Sequence, residues 1–174
     1  MKVVAVGGVI WLFRDVYAGL VIKPAPLSVL AGLALGVIWI VTDAEVASEI
    51  PLKRWIDTLP LAAAAAWIAL RALGSIVLIP LAEELAFRGY LHRVLVARRF
   101  ETVAQGQFTW LALIVSSVLF GLMHQRWLAG ILAGAVFAIL MYRTGRLSDP
   151  IAAHMVANAA IVVWAVAANR WSLL

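Results

Sequence analysis

The sequence predicts an all-α polytopic membrane protein, with about six transmembrane helices in one bundle and a polar intramembrane site. Three observations carry this. Of the 174 residues, 65% are hydrophobic and 13% charged, where soluble domains carry about 25% charged residues. The mean hydropathy is +1.01, and apolar stretches near the ~20 residues needed to cross a bilayer recur along the chain. Lipid offers the backbone no partners, so a spanning chain is a helix bundle or a closed barrel. Strict polar–apolar alternation is absent, which leaves the bundle. The net charge of +5 is spread over loop arginines, and fits membrane topology and anionic headgroups, not nucleic acid. There is no cysteine, so disulfides, thiolate nucleophiles and thiolate metal sites are excluded.

The elements follow in order. Met1-Lys2 and the apolar run behind it imitate a signal peptide, but no small-x-small cleavage site ends a short apolar region. Residues 3–22 are therefore read as a retained anchor or first span, with Arg14-Asp15 as an early membrane exit or a buried contact. Lys23-Pro24-Ala25-Pro26 is a break. Residues 27–42 form a short second span, where Gly32-x-x-x-Gly36 allows close helix contact. Asp43 to Pro60 is the longest polar segment (Asp43, Glu45, Glu49, Lys53, Arg54, Asp57), an interfacial loop or short surface helix carrying Trp55.

Residues 61–97 read as one helix, too long for a single upright crossing and kinked at Pro80. If Arg71 and Arg93 mark the two interfaces, Glu83 and Glu84 lie near mid-depth. If the alanine run 62–66 is inside, they move toward one face. A loop over 100–107 leads to spans at 108–124, 127–142 and 150–168, with Gly130-x-x-x-Gly134 in the second of these and a turn from Thr144 to Pro150 before the last. Trp11, Trp110, Trp127 and Trp171 sit near span ends, as interface anchors do. Apart from Arg14 and Arg71, one side holds Lys23, Arg88, Arg93, Arg98, Arg99, Arg143 and Arg146. The other holds Lys2, Lys53, Arg54, Arg126 and Arg170. By the positive-inside rule, both termini are expected outside.

The chemistry concentrates in Pro80-Leu81-Ala82-Glu83-Glu84-Leu85-Ala86-Phe87-Arg88. Ionisable groups in hydrocarbon are paired, buried in a bundle, or functional. On a helix Glu84 and Arg88 share a face, while Glu83 is turned roughly 100° away. One carboxylate is then a structural partner and the other is free. Two further groups, Phe120-x-x-x-His124 and His154-x-x-x-Asn158, each lie in their own apolar segment. A desolvated carboxylate can take a proton from water, and an imidazole can share or orient that water. A second imidazole and a carboxamide can donate to a developing oxyanion, and the Phe120 phenyl can fix His124. Taken singly, each part reads more plainly. Glu84–Arg88 is a structural ion pair, a lone intramembrane histidine is an interhelical hydrogen bond, and Asn158 is interhelical glue. His92 reads as interfacial, and Arg71 as an interface or bundle-facing charge with an unknown partner. It is the joint occurrence on three spans that favours the chemical reading.

Glu83-Glu84-x-x-x-Arg88, Phe120-x-x-x-His124 and His154-x-x-x-Asn158, in this order over roughly residues 71–162, resemble the CPBP family. That family comprises the type II CAAX prenyl proteases and the bacteriocin-processing or self-immunity (Abi) proteins. The first spans, with Trp11-Leu12-Phe13-Arg14, are similar to its exosortase-associated, CAAX-protease-related branch. The chain is short beside eukaryotic members, which have eight spans.

The resemblance implies a single membrane domain over 1–174, with N-terminal spans and a loop at 1–60 and the catalytic core at 61–168. It implies an intramembrane endopeptidase in a bacterial or archaeal inner membrane, acting on a membrane-embedded or lipidated peptide. That peptide would be a prenylated C-a-a-X tail or, in a host without prenylation, a bacteriocin leader or sorting signal. Glu83 and His124 would activate water, His154 and Asn158 would form the oxyanion hole, and Glu84, Arg88 and Phe120 would support them. A metal-independent glutamate mechanism is favoured. Zinc held by Glu83, His124 and His154 is the alternative, against which stand the lack of a His-Glu-x-x-His pair and the poor ligand Asn158. A non-catalytic immunity or scaffold protein is the competing reading. A proton-coupled carrier would show inverted repeats, and the chain has none.

Overall fold

The computed structural model describes residues 2–12, 14–17, 19–23, 25–43 and 51–174, and every regular element among them is helical. The expectations for Phe13, Pro24, Glu45 and Glu49 lie outside these residues. The helices are α1 (Lys2–Leu12), α2 (Pro26–Val41), α3 (Pro51–Asp57), α4 (Leu61–Val96), α5 (Trp110–Leu122), α6 (Trp127–Thr144) and α7 (Ser148–Ala167). Three of them, α4, α6 and α7, are long and apolar enough to cross a membrane, and α2 and α5 are shorter apolar helices.

The chain does not run as one helix through residues 3–22. α1 stops at Leu12, and a single 3₁₀ turn follows at Arg14–Tyr17. Arg14 and Asp15 face each other at 3.9 Å with both side chains exposed, so the pair is no buried contact. α3 carries Trp55, whose ring meets Trp67 of α4 edge-on at 5.7 Å.

α4 is the axis of the molecule. Its helix is not uniform, because π-helical stretches occupy Gly74–Leu78 and Leu85–Leu91 and bracket an α-helical turn at Ile79–Glu84. Pro80 explains the first stretch. A proline in a helix removes an N–H and crowds the carbonyl one turn back. Here the register has widened, and Ile79 N–H bonds Gly74 O five residues back. In that register Ser75 O would be next, and Pro80 has no hydrogen to give it.

Small residues let the other helices close up. Beside α7, a Cβ on Gly36 would come within 3.0 Å of Ala157 O. Between α5 and α6, a Cβ on Gly130 would stand 2.8 Å from the Gly121 Cα. In a bilayer such contact provides the dispersion that holds helices together. Ser28 Oγ donates to Asp149 Oδ1 at 2.8 Å, and Arg146 Nε to Asp149 Oδ2 at 2.9 Å, which ties the start of α2 to the first turn of α7. Gly145, at φ 66°, ends α6 in a left-handed turn with its N–H on Met141 O at 2.8 Å. That residue type suits this position because it lacks a Cβ. Phe87, Phe120, Phe137, Leu140, Ala153 and Ala157 form the core around which α2, α4, α5, α6 and α7 meet.

One sequence expectation, that for Trp171, needs correction, and His92, read as interfacial, lies inside the bundle. It is fully buried, with its Nε2 facing Gln107 O at 3.3 Å and its Nδ1 facing the Tyr142 hydroxyl at 3.4 Å. Trp11, Trp110 and Trp127 are exposed as anchors would be, but Trp171 is buried, its indole donating to the Asn169 carboxamide oxygen.

Candidate active site

The two neighbouring glutamates of α4 have opposite surroundings. Glu84 and Arg88 are both fully buried, and Arg88 Nη1 donates to Glu84 Oε1 at 2.9 Å. Arg88 Nη2 donates to Gly134 O at 2.7 Å, and its guanidinium carbon lies 4.5 Å from the Phe120 ring centre and 5.4 Å from that of Phe137. The cation thus meets a carboxylate, a carbonyl and three aromatic rings, with Phe87 at 5.8 Å as the third, while its Nε has no hydrogen-bond partner. Glu84 Oε1 is shared with His154, whose Nδ1 stands 3.1 Å away. The His154 ring stacks on Phe137 at 4.8 Å.

Glu83 points the other way, and its Oε2 has no hydrogen-bond partner. The nearest base is His124, with Nε2 at 3.9 Å from Glu83 Oε2. That gap is too wide for a direct hydrogen bond. The two side chains are 20% and 24% exposed, while Glu83 Oε2 itself is buried.

His124 lies two residues beyond the end of α5. The last carbonyls of a helix lack intrahelical donors, and His124 Nδ1 sits 2.7 Å from one of them, Phe120 O. A carbonyl only accepts, so Nδ1 carries the hydrogen, and in the neutral ring Nε2 is an open acceptor toward Glu83. The imidazole is therefore fixed by the Phe120 carbonyl. The Phe120 phenyl, 4.7 Å from His124 and tilted by 36°, also packs against Arg88 and Phe137.

Asn158, one turn after His154 on α7, donates Nδ2 to Ser75 O at 2.8 Å. This is the carbonyl that Pro80 leaves without a donor. Glu83, His124, His154 and Asn158 line one cavity of about 370 Å³, together with Phe120, Phe137 and apolar side chains of α2 and α7. The volume falls in the range of small-ligand pockets.

A family model described as Type II CAAX prenyl endopeptidase Rce1-like matches residues 65–160. The chain belongs to this family. The matched stretch contains Glu83, Glu84, Arg88, Phe120, His124, His154 and Asn158. No curated protein and no solved structure matches the chain. CAAX proteases of this family act on prenylated proteins in membranes, and the apolar helices α4, α6 and α7 accord with that setting. The zinc alternative needs Glu83, His124 and His154 around one ion. Among the described residues, no three His, Cys, Asp or Glu side chains are grouped to hold a metal, while Nδ1 of His124 and of His154 each faces an oxygen and leaves Nε2 of both rings open.

Four residues at the site escaped the sequence reading. Trp39 of α2 meets the His124 ring edge-on at 5.7 Å. Arg126 donates to Trp39 O and to Asp43, and Arg170 donates to Asp43. This clamp joins the end of α2, the segment after His124 and the end of the chain beside the cavity. Arg126 follows the motif histidine by two residues, which is a signal. Trp39, Asp43 and Arg170 gave none, being distant in sequence.

Proposed function

We propose that this protein is an intramembrane endopeptidase that hydrolyses a peptide bond of a membrane-embedded or lipidated substrate, without a metal, through a water held by Glu83 and His124. The single observation that carries the reading is the unpartnered Glu83 Oε2, 3.9 Å from a His124 Nε2 whose other nitrogen is committed to Phe120 O. Glu83 takes a proton from the water as its oxygen attacks the scissile carbonyl carbon. His124 Nε2 accepts the water's other hydrogen bond and orients its lone pair.

The charge that develops on the carbonyl oxygen is met by the second N–H of Asn158 and by His154. With Nδ1 against Glu84, His154 donates from Nε2 only when both ring nitrogens carry hydrogen, and Glu84 is the counter-charge for that form. Collapse of the intermediate breaks the C–N bond, and Glu83 returns its proton to the leaving amine.

The experiment compares purified wild type with Glu83→Gln and His124→Ala on a prenylated cysteinyl peptide. Loss of cleavage by variants that still insert and fold supports the reading. Wild-type rates in Glu83→Gln would overturn it, and a protein that folds normally but never cleaves would be the non-catalytic scaffold of the family.

A further inference from the structure

α4 has a second face that the mechanism above does not use. Ser75, Ile79 and Glu83 line the cavity already described, whereas Ala82, Ala86 and Gly89, spaced by helical turns, line a different one of about 860 Å³ against α1. The two cavities share no lining residue. The second is a groove with apolar walls from Ile10, Leu20 and Leu85, and Leu20 and Leu85 are packed on the Met141, Leu147 and Ile151 cluster. Its polar lining comes from Tyr90, Arg93, Gln105, Arg146 and Ser148. Arg93 donates to the carbonyl oxygens of Val103, Glu101 and Gly89, and to no carboxylate among the described residues. Arg146 gives Nε to the buried Asp149 carboxylate, and with its side chain 57% exposed it leaves both Nη groups without a partner among the described residues. Leu147 N–H donates to Gln105 Oε1 at 3.0 Å, which ties the turn after α6 to the loop after α4 and sets both arginines on one rim.

We propose that this groove binds one anionic phospholipid, with its phosphate on the Arg146 Nη groups beside Arg93 and an acyl chain along Ile10, Leu20 and Leu85. Charge complementarity selects this occupant. The loop at 97–107 and the turn at 143–149 add Arg98, Arg99 and Arg143 to the rim, against Glu101 and Asp149 alone, and basic pockets between membrane helices suit anionic headgroups. The planar guanidinium matches phosphate oxygens with parallel hydrogen bonds. Val9 and Val21, both exposed, leave the groove open along α1, where an acyl chain enters sideways. A prenyl chain carries no anion to meet the rim, and a scissile bond held at Glu83 lies on the other face of α4. The site is therefore independent of the peptidase reading.

Binding is read on the full chain purified in a neutral detergent. The probes are phosphatidylglycerol, an anionic phosphate diester, and phosphatidylcholine of the same acyl chains, which is zwitterionic. Wild type should retain a single phosphatidylglycerol about fivefold or more tightly than phosphatidylcholine. Arg146→Gln removes the open Nη groups and should bring that ratio near one. Ala86→Trp fills the groove from α4 with both arginines in place and should abolish the retained lipid, and it decides alone if Arg146→Gln fails to fold. Lys53→Gln removes a surface cation of α3 that pairs with Asp57, and should change nothing. Equal retention of the two lipids, an anionic preference that survives in either folded groove variant, or the same loss in Lys53→Gln overturns the proposal. So does displacement of the lipid by a prenylated cysteinyl peptide, which would make the groove part of the substrate path, or by inorganic phosphate, which would make it a simple anion site.

Discussion

Glu83 and Glu84 differ only in which way α4 turns them. Glu84 is locked through Oε1 between Arg88 and His154, with its own Oε2 unbonded, whereas Glu83 Oε2 bonds nothing and faces His124 at 3.9 Å. Substitution should therefore separate function from stability along this dipeptide. Glu83→Gln removes a general base and should cost about 10²–10⁴-fold in cleavage, with a thermal midpoint in detergent close to wild type because no hydrogen bond at Oε2 is lost. Arg88→Ala strips a buried carboxylate of its counter-charge and uncovers three phenyl rings. Breaking one side of such a pair costs about 3–5 kcal/mol, so this variant should unfold early in a thermal or denaturant series even though Arg88 is remote from the water. His124 shows the same logic on a smaller scale, since one ring nitrogen caps α5 and thereby leaves the other open toward Glu83.

At the scale of the element, α4 matters through its register. The glutamates stand on one α-helical turn between two π-helical stretches, and π stretches recur at functional sites because they re-aim side chains. Pro80 and Asn158 form a matched set, the proline leaving Ser75 O without a donor and the carboxamide of α7 supplying one. Asn158→Leu should thus cost about 1–3 kcal/mol for a buried carbonyl left unpaired. Adding Pro80→Ala restores an N–H to α4, so the double variant should recover part of that loss. Strict additivity of the two midpoint shifts would show that the residues are not coupled.

For the whole molecule, orientation depends on where the cations lie. Arg88 belongs to the core and drops out of the count of basic residues, which leaves six on one side against five on the other. Three helices, α4, α6 and α7, are long and apolar enough to cross, and we propose that α2 and α5 cross beside them, because α2 packs along α7 and α5 along α6. The absence of native cysteine makes single introduced cysteines clean reporters. Cysteines replacing Arg98 and Arg143 should label from the same side of intact vesicles, and one replacing Thr58 from the other. Labelling of all three from one side would rule the arrangement out.

Composition and spacing alone determined a good deal. The hydropathy requires helices, because lipid leaves backbone groups no other partner. The i,i+4 relation of Glu84 to Arg88 made the ion pair legible, and the glycine pairs announced that α2 and α6 would pack closely against neighbours, though not which. Each of these depends on neighbours along one helix, and helical geometry is known before the fold is. What the tertiary structure decided is what a single helix cannot encode. It buried His92 and Trp171, divided Glu84 between Arg88 and His154, and set the Phe120 carbonyl as well as its ring against His124. It also brought Trp39, Asp43 and Arg170 beside the cavity. The sequence named the acid and the imidazoles, but a 3.9 Å separation between Glu83 and His124 arises only when α4 and α5 pack, since distances between helices are set by the side chains and glycines at their contacts and not by the spacing of letters within either one.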